Sequence, residues 1–157
     1  MMSLREALED SAKRHVAIGH FNISEMAAFE GVAKAVRASG LPAIIGTSEG
    51  EKEFIGAHEA AALVKALRKE GLQVYLNADH HHSLEKIKEA VAAGYDAVLF
   101  DGGKLPLELW EATKAEITRG NLGPEVLWVG MTEDKPGPGH EGLVERMVKK
   151  AGGEEVK

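Results

Sequence analysis

The chain has 157 residues, 44% of them apolar and 28% charged, with a net charge of −6. That composition suits one globular domain with a real core and excludes a polyanion-binding face, so nucleic acid and acidic membrane are not expected partners. Cysteine is absent, which rules out disulfides and thiolate metal sites and leaves His, Asp and Glu for any metal.

Ser3-Leu4-Arg5-Glu6 has the pattern of a capping box, and a short helix to about Lys13 is predicted to follow. Met1 to Arg14 is charged throughout and has no signal-peptide core. No apolar run approaches the ~20 residues of a membrane span, so the sequence reads as cytoplasmic. His15 to Gly19 is a predicted strand. Ser24 is predicted to cap a helix whose Met26, Phe29, Ala33 and Val36 recur at spacings of three and four, with Gly40 ending it and Pro42 blocking continuation. The pattern then repeats. Strands are predicted at Pro42 to Gly46, Gln73 to Ala78, Ala97 to Phe100 and Val126 to Val129. Helices are predicted at about Ala57 to Glu70, Ser83 to Ala93 and Pro106 to Arg119. Thr132 to Gly142 reads as an exposed loop, and Leu143 to Lys150 as two helical turns.

Short apolar strands alternating with helices mean parallel βα units with right-handed crossovers. Two α/β architectures fit: about five strands of a partial TIM barrel, or a rearranged, open five-stranded doubly wound sheet. A full barrel needs ~250 residues. Residues 1–150 are expected to form a single βα domain, followed by a flexible tail over 151–157.

In both architectures ligands bind beyond the carboxyl ends of the strands. Four predicted strands end there in small or polar groups: Gly19-His20-Phe21-Asn22, Gly46-Thr47-Ser48-Glu49-Gly50, Asn77-Ala78-Asp79-His80 and Asp101-Gly102-Gly103. The connections at the opposite end carry no comparable set. On the third strand Gln73, Tyr75, Asn77 and Asp79 share one face by the two-residue period. Asn77 and Asp79 are therefore expected to point together into the mouth, with His80 on the turn beside a cation site. An Asp beside a metal-bound ligand can move protons, because a metal lowers the pKa of a bound hydroxyl.

Three adjacent histidines cannot all reach one ion, so His81 and His82 are expected to face solvent at the helix entry. His58 reads as surface and His15 as a strand boundary. His20 reads as either mouth-lining or a packed spacer, and His140 as either a loop residue or a metal ligand that swings in. Gly46 to Gly50 offers a hydroxyl and backbone amides to a sugar hydroxyl or phosphate oxygen. Asp101 reads as an Asx-turn residue or a ligand for a second cation, the turn being preferred. Trp110 and Trp128 read as core or interface.

The stretches "GHFNISEM" (19–26), "LPAIIGTSEGE" (41–51) and "YLNADHHHSLEKIKEAVAAGYDAVLFDGGKLPLE" (75–108) resemble, in content and order, the class II metal-dependent fructose-bisphosphate aldolases and the similar tagatose-bisphosphate aldolases, over about residues 3–127. The resemblance implies a TIM barrel, a catalytic zinc, and reversible aldol cleavage of a ketose bisphosphate to dihydroxyacetone phosphate and an aldehyde. It implies that Asp79 shuttles the proton and that His80 is the first metal ligand. Asn22 and Ser48 would then be substrate-binding and Asp101 a second cation position, with His140 in a Gly-His-Glu-Gly context faintly like a later ligand loop. The family draws two further zinc histidines and its glycine-rich phosphate loops from later strands that this sequence does not carry. At the fifth strand it has "LWVGMTEDKPGPGHEG" where the family has an acidic Glu-Gly-Glu-Leu-Gly type segment. Five strands of a barrel leave two open edges, so a homo-oligomer is expected. The second reading is a non-catalytic module of the same ancestry that binds a metal or sugar phosphate or assists assembly. A receiver or nucleotide domain ranks last, for want of a phosphate fingerprint.

Overall fold

A computed structural model describes residues 1–103, 105–120 and 125–129. The elements run α1 (Leu4–Lys13), β1 (Gly19–Asn22), α2 (Met26–Ser39), β2 (Ala43–Ser48), α3 (Glu49–Ile55), α4 (Ala57–Lys69), β3 (Val74–His81), α5 (Leu84–Ala93), β4 (Ala97–Asp101), α6 (Leu107–Gly120) and β5 (Glu125–Val129). The strands form one parallel sheet in the order β1-β2-β3-β4-β5. Each strand joins its predecessor without reversal, so right-handed crossovers put α2 to α5 on one face. A doubly wound sheet needs a switch point where the order reverses, and there is none among the described strands. The partial barrel is therefore the architecture, and the rearranged sheet is not.

Strand alternation sorts the side chains into two layers. Ala43, Ile45, Val74, Leu76, Ala78, Val98 and Phe100 pack against Phe29, Ala33 and Val36 of α2, Ala60, Val64 and Leu67 of α4, and Ile87 and Ala90 of α5. On the other face Ile44, Tyr75 and Ala97 meet Ile18 and α1 through Leu4 and Ala7. The Tyr75 hydroxyl donates to the Met2 carbonyl at 3.1 Å, so α1 plugs the amino end of that face. At the same end Arg68 Nε donates to the Val74 carbonyl at 2.8 Å, and Asp96, paired with Arg68, accepts the Leu76 amide at 2.7 Å. The amino end thus holds elements together, leaving the carboxyl end for ligands.

Most predicted elements fall within two or three residues of those observed. The Ser3–Glu6 capping box forms, Ser83 caps α5 and Gly94 ends it, and Gly40 ends α2 at φ 68°. Two expectations fail. The first strand starts at Gly19 rather than His15, because His15 takes φ 55° and Val16 donates to the Ser11 carbonyl at 3.0 Å, finishing the turn out of α1. Ser24 does not cap α2; Glu25 occupies that position without a side-chain bond, and Met26 is half exposed. The polar strand end at Gly46 to Gly50 comprises the last residues of β2 and the start of α3, a helix that was not expected. Ser48 and Glu51 form a second capping box there, and Gly56 at φ 93° separates α3 from α4.

No helix among the described residues is long and apolar enough to cross a membrane. The expected loop at Thr132 to Gly142, the turns at Leu143 to Lys150, the tail and His140 lie outside the described residues, as does the Trp128 side chain. Trp110 joins the core as expected.

Candidate active site

A bulge in β3 builds the carboxyl rim. Ala78 pairs with Val98 and His81 with Phe100, so β3 advances three residues while β4 advances two. The extra residue is His80, at φ 46°. That left-handed region is uncommon outside glycine, but His, Asn and Asp enter it more readily than most residues. Without the bulge, alternation would put Asp79 and His80 on opposite faces. With it, both reach the rim and His81 turns into the helix layer.

Two groups of polar side chains then form on the rim. Asn22, from β1, donates through Nδ2 to Asp79 Oδ2 at 2.9 Å and to Glu51 Oε2 at 3.3 Å. Glu51 also accepts the Ser48 amide at 2.7 Å. His80 Nδ1 lies 2.8 Å from Asp101 Oδ2, and Asp101 Oδ1 accepts the Gly103 amide at 2.9 Å. Burial pushes the Asp101 carboxyl up, but the bonds from His80 and Gly103 outweigh it and hold it below its usual value. An ionised Asp101 makes Nδ1 the protonated nitrogen of His80 and leaves the lone pair on Nε2, the arrangement that suits a metal-binding imidazole. The Asx-turn expected at Asp101 is present.

Asn77 is buried on the same face, as expected. Its Nδ2 lies 3.2 Å from His20 Nε2, and its Oδ1 has no partner among the described residues. Of the two readings for His20, the mouth-lining one holds. Gly46 explains how Asn22 and His20 reach this position. A methyl group there would sit 2.6 Å from His20 Nε2 and closer still to Asn22 Oδ1. Gly46→Ala is expected to push the exposed His20 and Asn22 side chains off the rim and to change stability by no more than about 1 kcal/mol. Gly50→Ala, with open space around it in α3, should raise stability by up to about 1 kcal/mol. Urea titration of the two variants reads both changes in stability.

Among the expected site residues, Asn22 is joined to Asp79 and, through Glu51, to Ser48, His80 is joined to Asp101, and His140 lies outside the described residues. His82 is exposed as expected, its amide donating to Glu49 Oε2 at 3.0 Å. His81 is a correction: it is fully buried, because the bulge rotates it inward. Burial, reinforced by the nearby Lys52 charge, pushes its imidazole down to about 4. Helix α3 was missed as an element, and with it Glu49, Glu51 and Lys52. The signal was in the sequence, since Ser48-Glu49-Gly50-Glu51 has the same capping-box spacing as Ser3 to Glu6.

Lys52 is buried, and its Nζ donates to Glu89 Oε2 at 2.7 Å and to the Lys86 carbonyl at 3.2 Å. The Lys52 hydrogen bond holds the Glu89 carboxyl below its ordinary 4.5. A carboxyl depressed on folding stabilises the fold above its unfolded value, and the contribution is lost as pH falls through the folded value. Stability should therefore decline below about pH 4.5, and Glu89→Gln should flatten that part of the profile. Unfolding midpoints measured across pH check this.

Among the described residues no group of three or more His, Asp or Glu is placed to hold a metal ion by itself. A family model described as "Fructose-bisphosphate aldolase class-II" matches residues 2–119. A probable fructose-bisphosphate aldolase of Bacillus subtilis is 30% identical over 121 residues, covering 74% of this chain and 42% of that protein. A 6-phospho-5-dehydro-2-deoxy-D-gluconate aldolase of Bacillus licheniformis is 30% identical over 165 residues, covering 96% of this chain and 56% of that protein. The chain thus spans about half the length of these relatives. Two solved structures share the fold. The fructose-bisphosphate aldolase of Campylobacter jejuni has a TM-score of 0.74 at 20% identity, with 96% of this chain and 55% of that one covered. The YdjI aldolase of Escherichia coli K12 has a TM-score of 0.72 at 22% identity, with 98% and 62% covered. By its sequence, and in keeping with its strand order, the chain belongs to the class II fructose-bisphosphate aldolase family.

Proposed function

We propose that this chain is the proton-transfer and first metal-ligand half of an aldolase site, acting on a phosphorylated ketose by reversible cleavage to dihydroxyacetone phosphate and an aldehyde. The observation that carries this reading is the β3 bulge, which turns Asp79 and His80 to one rim between Asn22 and Asp101. The donor chemistry fits a divalent cation, zinc by preference. His80 offers Nε2 while Asp101 fixes the ring through Nδ1, so Asp101 serves to orient His80 and not to hold a second cation. One imidazole is too few for tight binding, so His140 is proposed among the remaining ligands. When bound, the cation supplies Lewis-acid polarisation of the substrate carbonyl.

The residues of the chain supply the rest. Asp79 accepts the hydroxyl proton as the carbon–carbon bond breaks and returns it to the aldehyde oxygen in the reverse direction. Asn22 fixes Asp79 Oδ2 and leaves Oδ1 to handle that proton. The Ser48 oxygen accepts the Glu51 amide, so its own O–H remains to donate to substrate.

A coupled assay for dihydroxyacetone phosphate, run with zinc and then with a chelator, tests the proposal. Turnover that needs zinc and is lost in Asp79→Ala and His80→Ala supports it; zinc-loaded parent chain without turnover opposes it. The exposed β1 edge borders an apolar groove of about 920 Å³ lined by Met2, Val16, Phe21 and Val32. Such an edge calls for cover, and we propose a second copy of the chain. Light scattering should give at least twice the monomer mass, and a monomer at tens of micromolar would contradict this.

A further inference from the structure

Two buried polar groups under the rim take no part in the chemistry proposed above. His81 and Lys52 are 0% and 1% exposed, in a layer built mostly from apolar side chains. His81 Nδ1 lies 3.2 Å from the Asp79 carbonyl oxygen. A carbonyl can only accept, so Nδ1 carries the proton. Nε2 is buried and has no partner among the described residues. Lys52 has three N–H groups and uses two, on Glu89 and Lys86.

The bond from His81 to Asp79 spans His80, the residue in the left-handed conformation. A non-glycine residue held there costs about 1–2 kcal/mol and persists only where its surroundings over-determine it. His81 is tied on one side to the start of the bulge. On the other it sits across the ladder from the buried Phe100.

We propose that His81 is a positioning residue for His80: its buried ring, bonded through Nδ1–H to the Asp79 carbonyl, clamps the β3 bulge and so sets where His80 Nε2 and the Asp79 carboxylate point. The inference rests on the metal-site reading above for its functional meaning, while the clamp itself is a property of the chain without metal.

The test uses the full chain and the variants His81→Phe, which keeps the bulk, and His81→Asn, whose amide N–H can reach the same carbonyl. Cobalt(II) titration by visible absorption gives cation affinity. Proton NMR of the metal-free chain follows the His80 Nδ1–H that bonds Asp101. His81→Phe should weaken cobalt binding roughly 10–100-fold, the range for groups that orient a metal ligand, and should lose the signal of the His80 N–H bonded to Asp101. His81→Asn should keep that signal and recover most of the affinity. If His81→Phe retains both the signal and the parent affinity while only its unfolding midpoint drops, His81 is merely structural and the proposal is wrong. If His81→Phe does not fold, His81→Leu, smaller and equally unable to bond the carbonyl, replaces it with the same two expectations. A parent chain that binds no cobalt overturns the metal reading, and the proton signal alone then decides for or against the clamp.

Discussion

Asp79→Asn is expected to cut the turnover of aldol cleavage by roughly 10²–10⁴-fold, the usual contribution of a positioned acid–base group, while leaving cation affinity close to that of the parent. The amide has nearly the shape of the carboxylate and still presents an oxygen to Asn22 Nδ2, which is 2.9 Å from Asp79 Oδ2. It cannot accept a proton at neutral pH. Substrate still docks, so the loss should fall on kcat and largely spare KM. Steady-state kinetics beside a cobalt titration separate the two effects. Unchanged kcat would remove Asp79 from the chemistry, and a parallel loss of cobalt would make it a ligand.

Phe100→Ala is expected to lower stability by roughly 3–5 kcal/mol. Phe100 is fully buried in the main core, on the strand residue that pairs with His81 just beyond the bulge and immediately before Asp101. A cavity there removes packing from the helix layer and from the strand tip that carries Asp101. Phe100→Leu, closer in volume, should cost less than about 1.5 kcal/mol. Denaturant titration reads both. A loss below about 1 kcal/mol for the alanine variant would mean that the layer collapses around the gap and that the core is less fixed than its burial implies.

The architecture was legible because its signals are local. Ser3 and Glu6, Ser83, and the glycines at 40 and 94 mark helix ends by capping chemistry that works wherever the helix sits. Alternation along Val74 to Asp79 sorted the two faces of β3, and the Asn77–Asp79 pairing followed from it. The misses share a cause. His81 was expected in solvent because period-two alternation and helix-entry polarity were extended through a place where the strand gains a residue. Nothing in Asp79-His80-His81-His82 announces which of the four takes the left-handed conformation, since Asp and His all tolerate it. Helix α3 was passed over because Gly46, Gly50 and Gly56 suggest a loop, although Ser48 and Glu51 carry a cap signal. Lys52 could not be placed before α3 was known, for only the turn of that helix directs it into the layer with Glu89. The Asn22–Asp79 contact depends on pairing between strands that lie far apart in the chain, which no local pattern encodes.

X-ray absorption at the cobalt edge of the cobalt-loaded chain is the most direct measurement. Imidazole scattering is expected in the first coordination shell of the parent, diminished in His80→Ala and unchanged in His58→Ala. A parent spectrum with oxygen neighbours alone, or one that His80→Ala leaves untouched, would contradict it.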